Sequence, residues 1–375
     1  MFGFKIIRLV YLLLTPYCGD SFMPGQITVP KNLCLLRLSA IGDVCHAVAM
    51  VQHIQKHWPS TKITWVIGKV EASLLQGLTN VEFVVFDKKA GFKGYMDLRE
   101  QLKDRQFDVL LHMQVALRAS LASLCIPAKV KIGFDRQRAI EGQWLFTNQK
   151  IAPQKQPHVL DGFMGFAQAL GLPSVKPQWH MPLSDQDSLW AGEQFLDDKP
   201  IAVICPAASK AERNWTVQGY AAIAEHLHRR GFTLAICGGP TELEKQLARD
   251  IQAACAVDIT NLVAKTSLKQ LLAVLKLAHL VIAPDTGPAH MAVTVGTPVI
   301  GLYAHSNPHR TGPYLYQHYV VSCYQEAVQE QYHKPLSKLP WGTRAKGQDL
   351  MQGIGIDEVK DKIRQVIADH YPELV

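Results

Sequence analysis

Two signals that decide the architecture of this chain lie in one stretch of sequence, Leu33-Cys34-Leu35-Leu36-Arg37-Leu38-Ser39-Ala40-Ile41-Gly42-Asp43. Its first part, Leu33–Leu38, is an apolar run with the length of a buried strand. Gly42 then permits a tight turn into a helix that runs through His57. A buried strand, a glycine turn and a helix are the opening of a βαβ unit.

The same alternation of strand-like and helix-like segments continues in two runs. Strands of the first run are predicted at Leu33–Leu38, Lys62–Gly68, Val81–Asp87, Phe107–Met113 and Val130–Phe134. The second run has predicted strands at Ile201–Cys205, Thr233–Gly238, Leu280–Ala283 and Val299–Tyr303, and predicted helices at Val217–Arg230, Thr241–Ala254 and Ser267–Leu277. Strands that alternate with helices predict parallel sheets covered by helices.

We therefore predict an α/β protein with two Rossmann-like, doubly wound domains that face a cleft. The predicted parts are an extension at 1–30, domains at 31–185 and 186–350, and a C-terminal helix within 351–375. The polar, basic segment Tyr324–Gly347 is predicted to be a loop or an insertion. Ligands of doubly wound sheets bind at the carboxyl ends of the strands, so polar segments that follow strands are the site candidates.

Composition narrows the class of partner without naming one. The 375 residues include 39 Lys+Arg against 32 Asp+Glu, which leaves a formal net charge of +7. This excess favours anionic partners, and it leaves nucleic acid, a phosphorylated glycolipid and an acidic membrane surface open. The eight cysteines include no CxxC pair, which is typical of reduced core residues in a cytosolic protein.

The apolar N-terminal stretch Phe4–Leu14 contains Lys5 and Arg8. It is too short to span a bilayer, and no small-residue cleavage site follows it. We interpret it as a dispensable extension that can touch a membrane surface, or as the result of a start site assigned too early. We expect a cytoplasmic protein in peripheral contact with the inner membrane.

Asp43 lies where the first predicted strand has ended and the next helix begins. At a helix start its carboxylate can act as an N-cap. At the carboxyl end of a strand that faces a cleft, the same carboxylate is equally well placed as a general base. The residue pattern leaves both roles open.

The second candidate site segment is Ala283-Pro284-Asp285-Thr286-Gly287-Pro288-Ala289-His290-Met291. A buried strand leads into Asp-Thr-Gly, and Pro288 suits the first turn of a helix. The N–H groups and the dipole of that helix would hold a diphosphate. The alternative is that Asp285 or Thr286 simply caps the helix, and we interpret His290 as a residue that orients the loop.

The segment Pro206–Trp215 follows a predicted strand of the second run. It supplies a hydroxyl and two cations, from Ser209, Lys210 and Arg213. Such groups suit phosphate binding, and a solvated loop is the alternative.

A fourth segment, Gly238-Gly239-Pro240-Thr241-Glu242, forms another strand-to-helix turn. Glu242 could accept hydrogen bonds from a ribose. As an acid in the first turn of a helix, it could equally serve only to complement the helix dipole.

Together these segments resemble glycosyltransferase family 9, the lipopolysaccharide heptosyltransferases. The specific part is R-x-S-x-x-G-D at Arg37–Asp43 and D-T-G-x-x-H at Asp285–His290, followed by G-T-P at Gly296–Pro298. The K/R-x-W and G-G-P-x-E elements occur in the same order, and the resemblance covers about residues 31 to 325.

The resemblance implies a GT-B fold and an inverting, metal-free transfer from an ADP-heptose-like donor to the lipopolysaccharide core. It implies that Asp43 deprotonates the acceptor hydroxyl. The candidate donor-binding residues are Ser209, Lys210, Arg213, Glu242, Asp285, Thr286, Gly287 and His290. The candidate acceptor-binding residues are Ser39, Gly42, Arg118, Arg136 and Arg138, and loose surface charge is the preferred interpretation of any one of these arginines taken alone. Arg213 stands where the family usually has Lys, which keeps the charge and changes its geometry.

Two other classes of function stay open. A nucleotide-sugar epimerase would have similar domains and need no glycolipid acceptor, and a non-catalytic glycan-binding protein would have kept only the fold. No HExxH-like spacing is present, which argues against a metal site. The resemblance implies no cofactor and no nucleic-acid partner. Asp185-Gln186-Asp187 spells D-x-D, but it precedes a predicted helix, and capping is the preferred interpretation.

Overall fold

The computed structural model describes residues 29–155 and 157–374, so nearly all of the predicted extension lies outside the described residues. The described strands are β1 (Asn32–Leu36), β2 (Lys62–Gly68), β3 (Val81–Phe86), β4 (Phe107–His112), β5 (Ala128–Gly133), β6 (Gln149–Lys150), β7 (Ile201–Ile204), β8 (Thr233–Ile236), β9 (Thr260–Asn261), β10 (Leu280–Pro284), β11 (Val299–Tyr303) and β12 (Val321–Ser322).

The described helices are α1 (Ile41–His57), α2 (Lys69–Leu75), α3 (Phe92–Leu102), α4 (Leu117–Ser123), α5 (Val159–Ala169), α6 (Asp185–Gly192), α7 (Val217–Arg229), α8 (Glu242–Ala254), α9 (Leu268–Leu277), α10 (Gly287–Thr294), α11 (Pro308–Thr311), α12 (Tyr324–Tyr332) and α13 (Ile356–His370). None of these helices combines the length and the hydropathy needed to cross a bilayer.

The first sheet is parallel and has the strand order β3-β2-β1-β4-β5-β6. β1 lies at its centre, where Leu33 pairs with Ile63 on one side and with Val109 on the other. Helices cover both faces of such a sheet, so a central strand is apolar on both sides, which explains the unbroken apolar run that marks β1 in the sequence.

The second sheet repeats this arrangement in the order β12-β11-β10-β7-β8-β9, again with parallel strands. Both sheets therefore have the strand order of a dinucleotide-binding Rossmann fold. In the second sheet, successive strands are added on one side from β7 to β9 and on the other side from β10 to β12. The carboxyl ends of β7 and β10, where these two halves meet, form the topological switch point.

The described residues form two compact units, one around each sheet. The first contains residues up to Ala40, Ala47–Gln156 and Asp161–Gln178, and the second contains Ile41–His46, Pro157–Leu160 and Trp179–Val375. The first turn of α1 thus belongs to the second unit, where the carbonyl of Cys45 accepts a hydrogen bond from the indole of Trp179 at 2.9 Å. The domain boundaries expected from the sequence stay a prediction.

The structure corrects the expectation that Tyr324–Gly347 is a loop. The segment opens with α12, and Tyr324 and Val328 of this helix are buried together with Ala345 in a small apolar cluster. The hydroxyl of Tyr324 donates to the carbonyl of Thr343 at 2.8 Å and ties the returning chain to the helix. Polar and basic residues outnumber this apolar set, which is why the segment has no clear helical pattern in the sequence.

Candidate active site

The Asp-Thr-Gly segment connects the buried strand β10 to α10. Among the described residues no side chain caps this helix, which has Thr286 at its N-cap position and proline in its first turn. Thr286 instead donates its hydroxyl to the carbonyl of Ala207 at 3.3 Å, and Asp285 accepts a hydrogen bond from the hydroxyl of Ser306 at 2.5 Å. The first N–H groups of α10 are thus not used by its own flanking side chains, and helix N-termini of this kind bind phosphate.

The Pro206–Trp215 segment follows β7, the neighbour of β10 at the switch point, and the bond from Thr286 to Ala207 joins the two segments. Ser209 and Lys210 are exposed, and the Lys210 ammonium lies 3.6 Å from the carboxylate of Glu212.

Arg213 is half-buried in a short 3-10 turn of this segment. Its Nε atom is buried and has no hydrogen-bond partner among the described residues. A buried guanidinium N–H is costly to leave unsatisfied, and a phosphate oxygen is a natural acceptor for it.

Glu242 follows β8 as the first residue of α8. Its exposed carboxylate lies 3.1 Å from the ammonium of Lys245. The capping box of this helix is made by Thr241 and Glu244, and Glu244 also accepts a hydrogen bond from the N–H of Gly239 at 2.8 Å. Both sequence interpretations of Glu242 are thus compatible with its place, whereas Glu244 is occupied in shaping the turn.

Close packing brings the first turn of α1 against α10 within the second unit. A Cβ atom at Gly42 would lie 2.3 Å from Cδ2 of His290, and a Cβ atom at Gly287 would lie 3.1 Å from Cβ of Ile41. Glycine at these positions lets the two helix starts approach more closely than any side chain would allow.

Asp43 lies in the first turn of α1, three residues before His46. The ring of His46 meets the ring of His290 edge-on, with 4.7 Å between centroids. Nε2 of His290 lies 3.9 Å from the carboxylate of Asp285. Burial lowers the pKa of His290, while the carboxylates of Asp285 and Asp43 act in the opposite direction. Two segments far apart in sequence thus place two carboxylates around one buried imidazole.

His158 extends this cluster, and neither His158 nor His46 was predicted from the sequence. Its ring lies 5.4 Å from that of His46, its Nε2 bonds to the carbonyl of Gly312 at 2.9 Å, and its Nδ1 accepts from the N–H of Leu160 at 3.0 Å. Burial lowers the pKa of His158 to about 4. Both nitrogens are satisfied only in the neutral form, because Nδ1 must keep its lone pair.

The predicted acceptor residues occupy different environments. Ser39 accepts a hydrogen bond from the amide of Gln114 at 3.4 Å, and Gln114 also accepts from the N–H of Leu38 at 2.7 Å. Gln114 was not predicted, although its place after a predicted strand was the signal that could have found it. Arg118 and Arg136 are exposed.

Arg138 differs from the other two arginines because it is buried. Its guanidinium bonds to the carboxylate of Asp135 at 3.0 Å, and both side chains are 2% exposed. Arg138 thus already has a carboxylate partner, and its role in acceptor binding stays a prediction.

The described residues contain no group of three or more His, Cys, Asp or Glu side chains that could hold a metal ion. The two acids of the D-x-D sequence lie in the first turn of α6. Ser184 is the N-cap of this helix and accepts a hydrogen bond from the N–H of Asp187 at 3.1 Å. The expected absence of a metal stays a prediction.

Two Rossmann-type sheets, with polar segments at the switch point of the second, are an arrangement in which α/β proteins bind nucleotides. A family model described as glycosyltransferase family 9 (heptosyltransferase) matches residues 95–341. The lipopolysaccharide core heptosyltransferase OpsX of Haemophilus influenzae is 47% identical to this chain over 345 residues, which cover 92% of this chain and 99% of that protein.

Solved structures of similar proteins have the same fold as this chain. A family 9 glycosyl transferase from Veillonella parvula has a TM-score of 0.73 at 19% identity, covering 90% of this chain and 97% of that one. The Escherichia coli heptosyltransferase WaaC with ADP has a TM-score of 0.69 at 21% identity, covering 89% of this chain and 99% of that one. The chain belongs to glycosyltransferase family 9 and is a GT-B glycosyltransferase. The resemblance identified from the motifs is thereby confirmed.

The approach of α1 to α10 predicts that Gly42→Ala destabilises the protein. Alanine is normally the better helix residue by about 1 kcal/mol. Here its Cβ would force the buried His290 ring aside, and overpacking of this kind costs about 1–3 kcal/mol. Urea unfolding measures the change, with Gly192→Ala in α6 as the control because nothing lies within 4 Å of a Cβ at that position. Equal stability of Gly42→Ala and the unmodified protein would contradict the described packing.

Neutral, buried His158 predicts that stability falls as the pH decreases from 7 towards 4. Its pKa is about 4 in the folded protein, below the usual value of about 6.5 in the unfolded chain, so the unfolded chain binds more protons in this range. The loss attributable to His158 at pH 5 is about 2 kcal/mol.

Denaturant unfolding of His158→Gln across this pH range should give a shallower decrease than in the unmodified protein. Replacement of the exposed His309 by Gln is the control and should keep the original slope. Identical slopes for all three proteins would show that His158 is not held neutral.

Proposed function

We propose that this glycosyltransferase moves heptose from ADP-heptose to the lipopolysaccharide inner core, with a Kdo–lipid A type acceptor, at the cytoplasmic face of the inner membrane. The similarity to OpsX, named a lipopolysaccharide core heptosyltransferase, supports the substrate class and extends over nearly the whole length of both chains. The solved complexes of WaaC with ADP and with ADP-2-deoxy-2-fluoro heptose support the donor.

The observation that carries the proposal is the meeting of the Asp43 turn with the Asp-Thr-Gly helix start. In one compact unit, Gly42 packs on His290, and Asp43 and Asp285 both lie close enough to this imidazole to influence its ionisation. A site that must hold a donor diphosphate and take a proton from an acceptor needs these two kinds of group side by side.

Donor binding would use the switch point between β7 and β10. The N–H groups at the start of α10 and the buried Nε of Arg213 would donate to the diphosphate, with the exposed cation of Lys210 in the same segment as Arg213. Asp285 keeps its orientation through the bond from Ser306. A carboxylate fixed in this way can accept hydrogen bonds from hydroxyls of the transferred sugar.

Transfer would proceed by direct displacement. A lone pair of the acceptor hydroxyl attacks the anomeric carbon on the face opposite to the leaving group, the bond from that carbon to the diphosphate oxygen breaks, and its electron pair leaves with ADP. Asp43 takes the hydroxyl proton as the bond forms. Charge that develops on the departing diphosphate is stabilised by Arg213 and by the dipole of α10. The configuration at the anomeric carbon inverts.

In this scheme the histidines would have a structural role. Burial favours neutral His290, so the ring does not neutralise Asp43 by a permanent ion pair.

The expected absence of a metal is also part of the proposal. Metal-dependent transferases use a divalent cation to offset the charge of the leaving diphosphate. Here the cationic side chains and the helix N-terminus would serve that purpose, so transfer should persist in EDTA.

Asp43→Asn is expected to lower the rate of transfer about 100- to 10,000-fold, because a positioned general base contributes that factor. ADP binding, measured by calorimetry, should be kept because the diphosphate contacts are unchanged. The assay is mass spectrometry of truncated core lipopolysaccharide incubated with ADP-heptose, in which each transfer adds the mass of one heptose.

Asp185→Asn is the matched control, since Asp185 is also an acid in the first turn of a helix and belongs to the D-x-D sequence. It should transfer heptose at the original rate. Full activity of Asp43→Asn would remove Asp43 from the mechanism. Consumption of ADP-heptose with no mass gain on any acceptor would contradict the proposed transfer and would favour an epimerase.

A further inference from the structure

An apolar surface of the first unit is exposed although its residues are firmly held. We call it the Trp144 surface, and it consists of Leu117, Ile140, Trp144 and Leu145, whose exposed fractions are 45%, 55%, 62% and 77%. Single exposed apolar residues are ordinary, but a cluster that includes tryptophan marks a contact site.

Gln143, one residue before Trp144, is the anchor of this surface. It is 1% exposed, its amide N–H₂ donates to the carbonyl of His112 at 2.9 Å, and its amide oxygen accepts from the N–H of Phe134 at 3.1 Å. These partners end β4 and follow β5. The neighbouring Trp144 and Leu145 therefore project from a turn fixed to the carboxyl ends of two strands.

A second bond joins the two parts of the surface. The N–H of Leu117, at the start of α4, donates to the carboxylate of Glu141 at 2.8 Å. This bond brings Leu117 next to the turn that carries Ile140 and Trp144. The folded chain thus holds the two segments that carry these exposed apolar residues side by side.

The charge around the Trp144 surface is positive. Arg118 follows Leu117 directly, Arg136 precedes the turn, and both are exposed and form no ion pair with another described residue. Of the two acids in these segments, Asp135 is balanced by buried Arg138, whereas Glu141 contributes a formal negative charge although it bonds to Leu117, so three arginines against two acids leave a local net charge of +1. The chain as a whole carries a formal net charge of +7.

We propose that the Trp144 surface docks on an anionic phospholipid bilayer. Tryptophan is favoured at the membrane interface because its ring is apolar and its N–H is polar, and flanking arginines attract acidic headgroups. Charge complementarity distinguishes this occupant from a second copy of the chain, whose own surface would bring the same cations together. The purpose rests on the proposed function, since a lipid-anchored acceptor is presented at a bilayer.

Vesicle co-sedimentation of the full-length protein tests the docking without any catalytic step. The protein should bind vesicles of equimolar phosphatidylcholine and phosphatidylglycerol, and binding should weaken in high salt. The double variant Trp144→Ala/Leu145→Ala should bind these vesicles at least about tenfold more weakly, because two exposed anchors are removed.

Leu189→Ala/Leu196→Ala is the matched control, since these leucines of the second unit are 70% and 95% exposed. This control should bind vesicles like the unmodified protein. Unmodified protein that ignores anionic vesicles, or equal binding by the two double variants, overturns the proposal. Conversion of a dimer to a monomer by Trp144→Ala/Leu145→Ala, with vesicle binding unchanged, overturns it in favour of a contact between copies.

Transfer assays separate this proposal from the proposed function. The Trp144→Ala/Leu145→Ala variant should glycosylate a deacylated, water-soluble core acceptor at the original rate and a vesicle-embedded acceptor more slowly. Equal rates of the variant and the unmodified protein on the embedded acceptor overturn the docking proposal. If the unmodified protein transfers heptose to neither acceptor, the proposed function fails, and vesicle co-sedimentation still decides the docking.

Discussion

The contact of Gly42 with the ring of His290 is the interaction on which the site depends. A Cβ at position 42 would approach Cδ2 of His290 to 2.3 Å, so glycine is required for the first turn of α1 to reach α10. Asp43 follows Gly42 in the chain, and its position is therefore a consequence of this contact. The other elements supply what the contact needs: the strand β10, which ends one residue before Asp285, and His46, whose ring packs edge-on against the imidazole of His290.

Much of this architecture could be predicted from the sequence because its determinants are local. Buried strands such as β2 and β11 are apolar runs, and their predicted first and last residues agree with the structure. Glycine or proline marks the turns that follow several strands. The predicted strands missed β6, β9 and β12, which are two-residue edge strands and are too short to produce a pattern. The motif residues were found for the same reason, since each follows a recognisable strand.

Residues whose roles depend on distant partners could not be predicted in this way. His46 and His158 show no spacing that relates them, and they meet only because the folded second unit contains both. Arg138 and Arg136 are two residues apart in sequence, yet one is buried against Asp135 and the other is exposed. Charge type alone therefore does not separate a structural arginine from one that is free to meet an anionic ligand.

We propose that the start of α10 and the segment after β7 hold the donor diphosphate beside Asp43. A crystal structure of the protein with ADP tests it most directly. We expect diphosphate oxygens within hydrogen-bond distance of the N–H of Gly287 and of the Arg213 guanidinium, on the side where Asp43 lies. A diphosphate bound away from both groups, for example only at the turn of Gly238 and Gly239, would contradict it.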